Sequence, residues 1–280
     1  MKKSFCISMK KGPKAMNMFL HELKAYRKST IIWTLALMAL AILFLSMFPS
    51  FSREAEDFKK LLEGYPETIR RALGLSVENI GSILGFYSYI FLYISLVGAI
   101  QAMNLGTSIV SKEVRDKTAD FLLTKPVTRS EIMTAKLLAA LTSLVITNAV
   151  YLATAITMAS LVETKEFNTK IFVLLSLTLL FLQLIFLALG TIISVLIPKI
   201  KAVLPTSLGS VFAFFIIGAL ASTTGDDALR YISPFKYFDF AYIVQNSRYE
   251  SSFVIVAIAF IAVAITASYF IYSKRDIHAV

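Results

Sequence analysis

Residues Ser111–Lys136 read SKEVRDKTADFLLTKPVTRSEIMTAK, a charged island between two long apolar runs. Within it Val114, Phe121 and Leu122 stand at i, i+7 and i+8, which puts an apolar stripe on one helix face. Lys112, Glu113, Arg115, Asp116, Lys117 and Asp120 cover the other faces. Pro126 stops this helix, because its ring disfavours helical dihedrals at Lys125. Thr128-Arg129-Ser130-Glu131 then has the form of a capping box, in which Thr128 and Glu131 satisfy each other's free amides. Val127 and Ile132 flank the box at the positions of a hydrophobic staple. The segment therefore predicts a surface helix over 111–124, a proline turn, and a capped entry into the next apolar helix. Pro126, Thr128, Arg129 and Glu131 form the joint, and a stiff joint of this kind transmits force from a docking surface into a membrane span.

The rest of the chain agrees with a membrane setting. Of its 280 residues 57% are hydrophobic and 16% charged, and the mean hydropathy is +0.71. Soluble domains hold about 45–50% apolar and about 25% charged residues. Six apolar segments approach the roughly 20 residues that cross a bilayer. They lie near 30–48, 82–110, 132–161, 171–197, 203–223 and 253–272. In lipid every backbone polar group needs an internal partner, so each span is read as a helix. The expected fold class is an all-α polytopic membrane protein, a single transmembrane domain over 1–280, with no length left for a soluble catalytic domain of about 100 residues.

Lysine and arginine set the orientation. With the N-terminus inside, inner segments carry 18 of these residues and outer segments 10, which together make the 28 of the sequence. Both termini are therefore expected on the cytoplasmic side, in a prokaryotic-type plasma membrane. The outer loop 49–79 is basic but also carries Glu54, Glu56, Asp57, Glu63, Glu67 and Glu78. The single cysteine, Cys6, excludes an intrachain disulfide. No cleavable leader is evident, since the first 30 residues are basic and the first apolar run is long enough to remain as a span.

Three further elements are expected. Met16, Phe19, Leu20 and Leu23 share a face flanked by Lys14, Glu22, Lys24 and Lys28, the pattern of an interfacial helix on the inner leaflet ahead of the first span. In loop 49–79, Phe58, Leu61, Leu62 and Tyr65 form one amphipathic face. Pro66 opens a second short helix carrying Ile69, Ala72 and Leu73 and stopped by Gly74. Both are expected to pack on the outer ends of the spans. Tyr231, Phe235, Tyr237, Phe238, Phe240 and Tyr242 have the composition of an outer aromatic belt.

The central run Glu113 to Ile132, with Lys136 following, resembles the signature of ABC-2 type exporter permeases. That signature has an acidic residue, a Gly-Thr pair, an apolar triplet, Pro-x-Ser/Thr-Arg and a lysine in the next span. Here Lys117 stands in place of the usual glycine before Thr118, so the backbone there is expected to stay more helical. Ser233–Asp239 and Lys274-Arg275-Asp276 resemble further stretches of the family. The resemblance implies a transmembrane subunit paired with a second permease copy or paralogue and seated on two separate ATPase subunits. Those subunits would bind the ATP and Mg, while this chain would hold no cofactor. The surface helix would be the coupling helix, with Glu113, Arg115, Asp116 and Thr118 making polar contacts to the ATPase and Phe121 and Leu122 seating the helix.

The chain lacks a G-x-x-x-x-G-K-[ST] loop and an H-E-x-x-H pair, and its histidines, His21 and His278, lie near opposite ends. Neither catalysis nor a metal site is expected of it. Nor is nucleic-acid binding, since no basic module with stacking aromatics is visible. Gly225-Asp226-Asp227 falls in an outer loop, away from any intramembrane acid chemistry. Within the spans Lys136 is the one charge, placed near the inner end where it is expected to snorkel to water. Ion-coupled transporters carry more intramembrane charge, so energy from outside the membrane is favoured. Gln101, Asn104, Asn148 and Gln183 either line a polar path or join helices by hydrogen bonds, the second being favoured. Gly98, Ala102 and Gly106, four apart, mark a close helix contact within the chain or with a sister subunit. An apolar interior is compatible with lipids, hydrophobic drugs or peptides as cargo. A second reading, a membrane-anchored scaffold that recruits a soluble partner without transport, fits the same docking helix.

Overall fold

The structure, a computed structural model, describes residues 12–55, 57, 60–61, 64–66, 69, 81–115, 127–163, 167–197, 200, 202–224 and 227–274. Among these residues all regular structure is helical. Six helices are long and apolar enough to cross a membrane: α1 (Gly12–Ser46), α3 (Ile83–Arg115), α4 (Arg129–Val162), α5 (Thr169–Leu196), α6 (Val203–Thr224) and α9 (Ser251–Lys274). Short helices α2 (Phe48–Arg53), α7 (Asp227–Ile232) and α8 (Phe240–Asn246), with a 3-10 turn Pro234–Lys236, lie between them.

The expected separate interfacial helix is corrected: Gly12–Ser46 is one uninterrupted helix. The sequence between Leu23 and Trp33 holds neither Pro nor Gly, and Thr30 Oγ1 donates to Tyr26 O within the turn, so nothing breaks the backbone there. The amphipathic stretch persists as the first turns of the first span. Likewise α3 runs on to Arg115, so Glu113 and Arg115 continue the second span's helix past the expected boundary at 110.

Helix α5 is the most enclosed span and α9 the most open. The pairing of α3 with α5 rests on absent side chains. A Cβ on Gly190 would sit 2.7 Å from Met103 O and 2.9 Å from Thr107 N, and one on Gly98 would meet Leu179 Cδ1. The small-residue stripe of α3 thus faces α5 of the same chain, and the backbones touch where only glycine allows it.

Two apolar clusters stack along the helix axes. The first gathers Leu37, Leu45, Tyr87, Phe91, Tyr151, Phe172 and Leu175, and the second Tyr26, Met103, Ile109, Met133, Leu144, Phe186 and Val195. In the first cluster Tyr87 OH bonds Tyr151 OH and Ser176 Oγ, which satisfies three buried hydroxyls at once.

The aromatic belt is also corrected. Phe235, Tyr237 and Phe238 are buried, while Tyr231 remains exposed. Phe235 packs between Phe186 and Phe215, and Phe238 stacks on Phe181. Ser233 Oγ donates to Phe214 O on α6, and Asp239 caps α8 through the amides of Ala241 and Tyr242. The segment is therefore a wedge driven between α5, α6 and α9 rather than a ring at the lipid surface. Arg230 anchors it, bonding Glu250 and lying 3.8 Å over the Phe253 ring. Burial pushes the Lys236 ammonium in this wedge below its usual range, against the opposing pull of Asp239. In loop 49–79 most of the expected helical faces lie outside the described residues. Among the described residues Leu61, Tyr65 and Ile69 are exposed rather than packed, and Phe48 and Phe51 of α2 pack against Phe86.

Candidate functional site

The joint ahead of α4 forms as its local sequence dictates. Glu131 N donates to Thr128 Oγ1 at 3.2 Å and Thr128 N donates to Glu131 Oε2 at 2.8 Å, the reciprocal pair of a capping box. Thr128 is extended at φ −77°, ψ 154°, so the chain enters the helix at a fixed angle. Ile132 is fully buried one turn in. Arg129 Nη1 donates to Tyr272 O at 3.4 Å, which ties the joint to the C-terminal end of α9. Of the expected ATPase-contact residues, Glu113 and Arg115 lie on the last turn of α3. Asp116, Thr118, Phe121 and Leu122, together with Pro126, lie outside the described residues.

Lys136 does not snorkel, contrary to the expectation. Its side chain is 3% exposed, its Nζ donates to Ile109 O at 2.9 Å, and it lies 3.7 Å from Glu22 Oε1. Glu22 is equally enclosed, with a side chain 9% exposed. The reason is the continuity of α1: its N-terminal extension runs alongside α4 and closes the route by which the ammonium would reach water. The result is a buried three-way lock that joins the N-terminal parts of α1 and α4 to the C-terminal part of α3. Ile109 stands two turns before Arg115, so the lock grips α3 just ahead of the charged segment.

At mid-height a polar layer separates the two apolar clusters. Thr34 and Thr147 share a hydrogen bond of 2.9 Å, Gln101 Nε2 donates to Thr147 Oγ1, Gln183 Nε2 donates to Gln101 Oε1 and to Gly98 O, and Asn148 Nδ2 donates to Gln183 Oε1. Gln101 and Gln183 are fully buried. These residues join α1, α3, α4 and α5 inside one chain. Asn104, the fourth polar residue singled out, is half-buried on α3 and lies outside this network.

The family model for ABC-2 family transporter proteins matches residues 16–277. The chain belongs to that family. No curated protein matches it. Membrane subunits of the ABC-2 family are not themselves catalytic and work with an ATPase partner, which agrees with the missing phosphate-binding loop. Among the described residues no cluster of His, Cys, Asp or Glu is placed to hold a metal ion.

Glu22 and Thr34 are the partners that sequence reasoning missed. A signal existed for Glu22: it is the only acidic residue before Glu54, set among eight lysines and arginines. A lone acid in a basic stretch is a candidate partner for a buried cation. Thr34 carried no comparable mark.

Proposed function

We propose that this chain is the membrane subunit of an ATP-driven exporter, with both termini on the cytoplasmic side of the plasma membrane. In this reading two copies of a separate ATPase power a pair of permease chains. The observation that carries it is the construction of the inner face. A charged segment leaves α3 immediately beyond the Lys136 lock and re-enters α4 through a capping box. Displacement of segment 111–126 by the closing ATPases would then turn α4 about Thr128–Glu131, and the lock would pass that motion to α1 and α3. Glu113, Arg115, Asp116 and Thr118 supply the polar contacts, and Phe121 and Leu122 seat the segment.

The joint tests this reading. Losing a capping side chain costs about 0.5–2 kcal/mol, so Thr128→Ala with Glu131→Ala leaves a folded, membrane-inserted protein with the ATPase still bound. Spin labels on exposed Leu141 of α4 and Leu204 of α6 report the inner-side opening. The expected result is an ATP-dependent change of distance in the parent protein that shrinks or disappears in the double variant. A membrane scaffold that only recruits a soluble partner gives no ATP-dependent change in either protein.

A further inference from the structure

Helix α9 is fastened at its two ends and open between them. At its C-terminal end it meets the joint: Arg129 Nη1 donates to Tyr272 O at 3.4 Å, a charge-assisted bond. About one turn away, Tyr269 OH lies 2.7 Å from Thr134 Oγ1 of α4. Thr134 gives its single proton to Ser130 O, so Tyr269 is the donor of this pair. At the N-terminal end Phe253 lies under the Arg230 guanidinium and against the rings of Tyr231 and Tyr237. Glu250, directly ahead of α9, pairs with Arg230, and Arg230 Nε donates to Lys236 O at 3.1 Å. One arginine thus gathers the wedge onto the first turn of α9.

The stretch between these grips is built as a smooth rod. Ser251–Lys274 holds neither Gly nor Pro, the usual sources of a kink, and forms one helix. Its buried stripe carries large side chains only at the ends, Phe253 and Tyr272, with Ala257, Ala264 and Ser268 between. Among the described residues no side-chain hydrogen bond leaves α9 from Ile255 to Ser268, whose own hydroxyl returns to Ala264 O. Ile255, Ile258 and Val263 on the other face are exposed. From Phe253 to Tyr272 the rod measures about 28 Å at 1.5 Å per residue. Packed helices move by small sliding shifts, and a rod gripped at both ends and smooth between them passes such a shift from one end to the other.

We propose that α9 is a strap that carries movement of the joint to the wedge, with Arg129 and Tyr269 as the positioning residues that fasten it to α4. The inference rests on the membrane-subunit reading for the source of the movement. The fastening itself is read without nucleotide, so the two can fail separately.

The test uses the full chain with its co-purified ATPase in nanodiscs. With Cys6→Ser as background, spin labels are placed on Ile232→Cys beside the wedge and on Lys170→Cys at the start of α5, both exposed positions. Without nucleotide, Tyr269→Phe with Arg129→Gln should broaden the Ile232–Lys170 distance distribution, although both changes lie at the other end of α9. A purely local packing role would leave that distribution as in the parent. Thr134→Ser keeps the hydroxyl and should match the parent, whereas Thr134→Val should broaden the distribution as Tyr269→Phe does. With ATP and vanadate, the parent should shift this distance together with the Leu141–Leu204 distance. The Tyr269→Phe, Arg129→Gln protein should keep the joint movement and lose the wedge movement. An unchanged distribution in that variant without nucleotide, a wedge that stays still while the parent's joint moves, or a wedge movement that survives both changes would overturn the strap. So would loss of the joint movement in the same variant, which would make these residues part of the joint itself. A parent in which neither distance responds to ATP would remove the exporter reading and leave the nucleotide-free distributions to decide the strap.

Discussion

Lys136→Met should leave little folded protein, and Glu22→Met should do the same. Each change removes one of two charges that face each other in a site closed to water, and breaking a buried ion pair by removing one partner costs about 3–5 kcal/mol. That is a large part of a stability of about 5–15 kcal/mol. The surviving group is cut off from water, since both side chains are under one-tenth exposed. The double variant Lys136→Met with Glu22→Met should recover most of the loss, because an apolar pair of similar volume costs nothing to desolvate. Thermal unfolding in detergent, followed by the monodisperse fraction on size exclusion, reads all three proteins. Singles as stable as the parent would mean that the lysine reaches water after all, as expected from its sequence position alone.

Gly190→Val should separate α3 from α5. The new Cβ meets Met103 O and the Thr107 amide, which are backbone atoms and cannot rotate aside. Overpacking of this kind costs about 1–3 kcal/mol, and more where backbones must move. The effect should spread beyond the contact, because Gln101 and Gln183 hold the polar layer from these same two helices. Gly209→Val is the matched control: it is a glycine of a membrane helix whose added Cβ meets nothing within 4 Å. Comparison of the two in the same unfolding assay separates helix propensity, common to both, from the clash, present only at Gly190. Equal effects would place the α3–α5 contact elsewhere.

These cases show which features the sequence exposes. The six spans were legible because a membrane helix is written in consecutive apolar residues, and observed ends fall close to the expected ones for α4, α5, α6 and α9. The capping box was legible because all of its atoms lie within four residues, Thr128 to Glu131. Gln101, Asn148 and Gln183 stood out as polar residues in apolar runs, although the partners Thr147 and Gly98 that Gln101 and Gln183 bond could not be named without the fold. The failures share a cause: they turn on what stands opposite a residue. Lys136 near an apolar terminus reads as snorkelling until an extension of α1 covers it. Phe235, Tyr237 and Phe238 have the same composition whether they ring the protein or wedge into it, and only the helices around them decide.

In the proposed mechanism, segment 111–126 is where ATPase subunits engage this chain and drive it. The most direct test is affinity purification of the tagged chain from membranes in mild detergent, with and without Glu113→Lys and Asp116→Lys together. The parent protein should carry a stoichiometric ATPase that hydrolyses ATP. The reversed protein should be equally abundant and monodisperse but should have lost that subunit. An ATPase that stays bound after both reversals, or a parent protein that purifies without one under conditions that preserve membrane complexes, would contradict the claim.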